Sequence, residues 1–335
     1  MFEKMTTIKL LVMKKAYLLI LFLVMLVSCN CNSQQHTSEK FINTEIVRPM
    51  ANNKSNLGIG ETLNFDLVFY RNDSIFFYDY QTNKINFIIE GSQPCLSNDG
   101  RKIAYTKTQI DTLTQKLIRR IMIFDLISNQ SFSLNIDSQN HYNPMWSSSG
   151  KFLIFSIYYH NKWEIGIIGA ENINFKILSD EISQNVFSPS WGRDDNTIVF
   201  HDMYKIYLVT RDGIVKHTYD IGQIDNNELA ISSSSKFLVS TESDLIVFDA
   251  TYRSEDIVYD PETPIFIYDI TKKNYRRITP PNTSCTNLFL MNNNKLLFSG
   301  KESGTDVWNI YEISIEGGGL RLLIRDAMSP SSKSK

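Results

Sequence analysis

The chain has no excess of either charge. Thirty-four Lys and Arg face 36 Asp and Glu, so the formal net charge is −2, and no long basic run gathers the cations. That excludes nucleic acid as a main partner. Cysteine is scarce: Cys29, Cys31, Cys95 and Cys285 are the whole set. Apart from the tight Cys29/Cys31 pair, none has metal-ligand spacing. Segments with helical periodicity are few, which argues against a helical body. No Gly-x-Ser-x-Gly elbow occurs, and no length is left over for a hydrolase domain. A phosphate loop is excluded at residues 147–151 because Met145 stands where the first glycine should be. Gly58-Ile59-Gly60 is too short to hold a nucleotide.

What is present is apolar and aromatic. Hydrophobic residues make up 42% of the 335 positions, enough for a large core. The clearest stretch is Asn143-Pro144-Met145-Trp146-Ser147-Ser148-Ser149-Gly150-Lys151-Phe152-Leu153-Ile154-Phe155-Ser156. It reads as a short strand, a Ser/Gly turn and a second strand. Phe152-Leu153-Ile154-Phe155 is apolar at both parities, whereas a sheet with one wet face would alternate. Both faces of this sheet must therefore be covered. Variants recur at 93–105 and 188–200, at roughly the period of a propeller blade.

At those three places the pattern Pro-x-Trp-Ser-x-Asp-Gly-Lys-x-Ile-Ala-Phe is recognisable, and it resembles the TolB-like propeller repeat. The later strands agree: Tyr78-Asp79, Phe124-Asp125 and Tyr268-Asp269 each end on an aromatic and an Asp that can bond the next turn. The resemblance implies an all-β fold, a six-bladed β-propeller of four-stranded antiparallel blades, over residues 61–331. It also implies a propeller that binds envelope proteins or peptides. The separate α/β domain that precedes the propeller in TolB itself has no counterpart here, so TolB's division-machinery role does not carry over.

The fifth unit is degenerate. Its strands are expected at 232–235 and 236–240, then, after a long insertion over 241–262, at 264–270 and 275–279. The tail Asp326-Ala327-Met328-Ser329-Pro330 echoes Asn185-Val186-Phe187-Ser188-Pro189, while the first unit lacks its opening strand. Residues near 326–331 are thus expected to supply the innermost strand of blade one and close the ring. Cys95 and Cys285 fall in non-neighbouring blades and are expected to be buried free thiols.

At the N-terminus, Lys14-Lys15 precedes an apolar run over 16–27, a signal-type length that is short for a membrane span. Leu26-Val27-Ser28-Cys29 follows. Together they resemble the bacterial lipoprotein signal, which implies cleavage before Cys29 and acylation of that cysteine. An ordinary secretory signal and an uncleaved anchor are the alternatives. Residues 1–28 are read as the signal peptide and 29–60 as a polar tether. Asn30, in place of Asp, points to the outer membrane, facing the periplasm. Met13 offers an alternative start.

Strand alternation puts the tight turns on one side of the ring and the long segments 107–119, 157–162 and 241–262 on the other. Function usually sits on such loops. The candidate binding residues are His141, His160 and His201, with Asp202 beside the last, and Asp249, Glu255 and Asp256 in the acidic insertion. The leading expectation is a lipid-anchored, non-catalytic scaffold for an envelope protein or peptide, without metal or other cofactor. The alternative is a metal-dependent glycan lyase or hydrolase using the three histidines.

Overall fold

The computed structural model describes residues 63, 65–112, 114–240, 244–254, 261–292 and 294–333. The signal and tether assigned to 1–60, Cys29, Glu255 and Asp256 lie outside them.

Six four-stranded antiparallel sheets make a six-bladed β-propeller. From the innermost strand outward, blade 2 holds Ser92–Leu96, Lys102–Ile110, Leu117–Asp125 and Gln130–Ser133. Blade 3 holds His141–Trp146, Phe152–Tyr159, Lys162–Gly169 and Lys176–Ile177. Blade 4 holds Phe187–Trp191, Thr197–His201, Lys205–Thr210 and Val215–Asp220. Blade 6 holds Thr283–Asn292, Lys295–Glu302, Asn309–Ser314 and Arg321–Ile324. Helix is confined to one turn, Ile221–Ile224, among the described residues.

Burial falls from the axis outward, as the run of apolar residues at both parities requires. All five residues of Thr197–His201 are buried, while the outermost strand of the same blade is almost wholly exposed. The apolar residues separate into six clusters, one for each contact between neighbouring blades. Trp146 packs against Cys95, Ala104 and Ile121 of blade 2, and Trp191 against Ile154 and Ile165 of blade 3. Each blade thus covers a face that its neighbour would otherwise expose to water.

The ring closes with the end of the chain. Met328–Ser332 is the innermost strand of blade 1, pairing Ser332 with Leu67 and Ser331 with Val68. The other strands of that blade are Leu67–Arg71, Ser74–Asp79 and Lys84–Glu90. Arg71 fastens the approach: its Nε donates to the Asp326 carbonyl and its Nη2 to the Arg325 carbonyl, both at 2.7 Å. Lys333 pairs with Asp66 at 2.6 Å. On its other side, Ser331 Oγ accepts from the Leu96 N–H of blade 2 at 3.1 Å.

Blade 5 departs from the sequence reading. Its innermost strand is Phe237–Val239, not 232–235. Leu245–Asp249, placed in a projecting insertion above, is its second strand and is buried. Ile265–Asp269 and Asn274–Arg277 complete it. The reason is packing. Phe237, Val239, Ile246 and Phe248 all join the cluster shared with blade 4, and the Ser232–Ser235 turn has no apolar residue to offer it. The insertion therefore starts only after Asp249, and its first residues, Thr251–Tyr252, pair with Leu229–Ala230. Cys95 and Cys285 are free and buried, as expected.

Candidate functional site: the long-loop mouth of the central channel

The innermost strands share a local device. Gln93, Asn143, Ser188, Asn287 and Ser329 all have positive φ, between 50° and 56°. Each sits at a break in register between the innermost and second strands, in blades 2, 3, 4, 6 and 1. A bulge turns one residue away from the ladder and re-aims its side chain. Four of the five are followed by proline (Pro94, Pro144, Pro189, Pro330), which a bulge tolerates because no ladder donor is needed there. In blade 5 the register runs unbroken through Phe237↔Phe248, Leu238↔Val247 and Val239↔Ile246. The residue at the corresponding place is Lys236.

Behind this ring the second strands carry buried polar residues: Thr106, Ser156, His201, Asp249 and Ser299. Two of them, Thr106 and Ser299, accept N–H groups freed by the bulges. The Asn143 N–H donates to Gln93 Oε1 and Thr106 Oγ1, each at 3.1 Å. Thr106 Oγ1 donates to the same Gln93 oxygen at 2.9 Å. The Ser329 N–H donates to Ser299 Oγ at 2.8 Å, and that hydroxyl donates to Asn287 Oδ1 at 3.2 Å. The Lys236 N–H donates to Asp249 Oδ1 at 2.8 Å.

Between the innermost strands lies a cavity of about 150 Å³, to which all six blades contribute. A second of about 40 Å³ opens among the tight turns on the opposite side. Cys95, Met145 and Phe289 line both and so form the partition between them. Below the partition Arg193 of blade 4 reaches to the Met291 carbonyl of blade 6, donating from Nη2 at 3.2 Å. The upper cavity is therefore a cup with a narrowed floor.

An aromatic patch adjoins the cup. Tyr142 lines the cavity and meets Trp163 edge-on at 5.4 Å between ring centres. Tyr158 meets the same Trp at 5.3 Å. The Arg119 guanidinium lies 3.9 Å over the Tyr142 ring and 5.4 Å from Trp163, and is aimed by a 2.9 Å bond from its Nε to Asn140 Oδ1. Arg119 belongs to a long hairpin whose exposed outer pair is Ile110 and Leu117.

The candidate residues named from sequence do not form one site. His141 is buried, and its Nδ1 accepts the Ile121 N–H at 3.1 Å. Burial, helped by the nearby Arg120 charge, pushes its pKa down to about 4. His201 is buried too. Its Nδ1 accepts the Met203 N–H at 3.1 Å, so its Nε2–H donates to the Ser235 carbonyl at 2.9 Å. Burial likewise pushes it down to about 4. Both are neutral rings tied to backbone. His160 is exposed in a turn, its ring tilted against that of Tyr159. Asp202 caps a turn, accepting from the Tyr204 and Lys205 N–H groups and from the hydroxyls of Ser183 and Tyr207. Burial opposes its ionisation, but those hydrogen bonds outweigh it and hold the pKa below the usual range. Asp249 is not on a solvated rim. It is 3% exposed, and burial pushes it up to about 7 against the opposing Lys236 N–H and charge. Among the described residues no three His, Cys, Asp or Glu side chains converge in a way that could hold a metal ion. The three-histidine metal site is therefore not supported. Lys236 and the aromatic patch were missed from sequence. Aligning the units would have flagged Lys236 as the one charged residue at the bulge position.

Neither a protein-family model nor a curated protein sequence matches the chain. Solved structures do match it. TolB from Acinetobacter baumannii is 16% identical, with 84% of this chain and 70% of that one covered and a TM-score of 0.58. A putative TolB from Agrobacterium tumefaciens is 12% identical, with 78% and 88% covered and a TM-score of 0.53. An oligogalacturonate lyase from Vibrio parahaemolyticus is 11% identical, with 74% of each chain covered and a TM-score of 0.51. At these identities the likeness establishes the fold, a TolB-like six-bladed propeller, and no more. No helix among the described residues is long and apolar enough to cross a membrane.

Proposed function

We propose that the chain is a non-catalytic scaffold of the cell envelope that holds a peptide or protein segment across the long-loop mouth of its channel. Its anchor is a lipid on Cys29, and its place is the outer membrane, facing the periplasm. The observation that carries the binding role is the patch of Arg119, Tyr142, Tyr158 and Trp163 beside the polar cup. Tyr, Trp and Arg are the residue types that dominate contact energy at interfaces. Here they are pre-stacked, so little side-chain entropy remains to be lost on binding. Tyr142 belongs to both patch and cup, which makes the two one continuous surface.

The test is a photo-reactive residue at Tyr158 in intact cells, followed by identification of what is attached. A discrete partner, captured at least tenfold less in an Arg119→Ala variant, supports the scaffold. Diffuse labelling that is unchanged by Arg119→Ala overturns it. Release of a Cys29→Ser variant from membranes checks the anchor, and retention of that variant argues against it.

A further inference from the structure

The cup is built from donors. Lys236 is the one charged residue that lines it. Among the described residues its ammonium makes no hydrogen bond and has no carboxylate within ion-pair distance, since Asp249 is engaged by its backbone N–H instead. Across the channel from it, Cys95 of blade 2, the blade opposite in the ring, lines the same cavity. Burial lowers the lysine's pKa, and Asp249 and Cys95 pull it back.

Two amides add to the cation. Gln93 Oε1 must be the atom facing the Asn143 N–H, because only an oxygen can accept there. The same oxygen takes the Thr106 hydroxyl, so the Gln93 NH₂ is left to donate. Asn287 Oδ1 takes the Ser299 hydroxyl, so the Asn287 NH₂ is left likewise. Lys236 is half-buried and shares the cavity lining with both amides, a set of donors that suits an acceptor carrying negative charge.

We propose that the cup is a seat for a single carboxylate, held by the Lys236 ammonium and the amide N–H groups of Gln93 and Asn287. One positive charge matches one carboxylate and is too little for a dianion. A cavity of about 150 Å³ holds roughly five waters' worth of volume, at about 30 Å³ each. The carboxylate therefore arrives at the end of its molecule, as on a peptide C-terminus or a terminal sugar acid. The proposal rests on the scaffold reading for its biological setting, but its test does not.

The test uses the purified chain at low salt, titrated with acetyl-trialanine acid, its C-terminal amide, and galacturonic acid, with heat of binding as the readout. The acid peptide is expected to bind at least tenfold more tightly than the amide, and salt is expected to weaken it. Lys236→Met should abolish the preference, while Lys236→Arg retains it. Galacturonic acid binding with the same Lys236 dependence, and more tightly than the peptide, keeps the seat and assigns it to sugar acids. Equal binding of acid and amide overturns the seat, as does an acid preference that survives Lys236→Met. The acid-against-amide comparison needs no variant, so poor folding of a mutant leaves it decisive. Loss of the seat with capture at Tyr158 intact leaves the scaffold standing, and the reverse result leaves the seat standing.

Discussion

Trp191 of blade 4 donates its indole Nε1–H to the Met145 carbonyl of blade 3 at 3.0 Å. Trp146, its counterpart one blade back, has a buried indole nitrogen with no partner. The two repeat tryptophans therefore do the same apolar work but differ in one bond.

Truncating either to alanine should cost about 3–5 kcal/mol, the range for a large core aromatic. Phenylalanine separates them. Trp191→Phe removes the bond to the Met145 carbonyl and should cost about 0.5–1.5 kcal/mol more than Trp146→Phe. Denaturant melts of the four variants check this. Equal losses for the two phenylalanine variants would show that the bond contributes nothing.

Closure should be equally measurable. Removing residues 326–335 deletes the innermost strand of blade 1 and exposes the ladder of Leu67–Arg71. The melting temperature should fall steeply, with aggregation through the bare edge. Arg71→Ala, which removes two charge-assisted bonds to the carbonyls of Arg325 and Asp326, should cost about 1.5–3 kcal/mol. A truncated chain that melts where the full chain does would contradict the closure.

Stability should depend on pH through opposed groups, Asp249 on one side and His141 and His201 on the other. Asp249 has a folded pKa of about 7, raised above its unfolded value near 4. Its contribution is full below about pH 4 and is lost as pH rises to 7. His201 is depressed to about 4, below its unfolded value near 6.5. Its contribution is full above about pH 6.5 and is lost as pH falls to 4. Asp249→Asn should therefore gain on the parent as pH rises from 4 to 7, by at most about 1.4 kcal/mol per unit. Unfolding free energies at four pH values check it, and parallel curves would refute the assignment.

The ring was legible because its cause is local and repeated. Pro144-Met145-Trp146 and Pro189-Ser190-Trp191 announce an innermost strand, and Phe152-Leu153-Ile154-Phe155 announces a second strand covered on both faces. Blade 5 was not, because it has none of these marks. Ser232-Ser233-Ser234-Ser235 looks like a polar strand but is a turn, and Leu245–Asp249 is followed by an acidic stretch of sequence that drew it into an apparent insertion. The histidines were misjudged for a related reason. A ring nitrogen satisfied by a backbone group twenty residues away, as in His141 with Ile121, leaves no trace in spacing. Lys236 is invisible for the opposite reason. Its surroundings are made by strands of five other blades, and no window along the chain contains them.

Among the described strands, the one that completes blade 1 comes last and its ladder partner comes first. Joining them spans more than 250 positions, as the Arg71 bond to the Arg325 carbonyl records. Such a long-range pairing is slow, because the entropy of bringing distant segments together is lost before any contact is gained. During synthesis the first sheet must wait, three strands wide, until the last one emerges. Chaperone dependence in this protein should therefore concentrate on that waiting interval, and a short peptide copying residues 328–332 should compete for the open position in refolding chains.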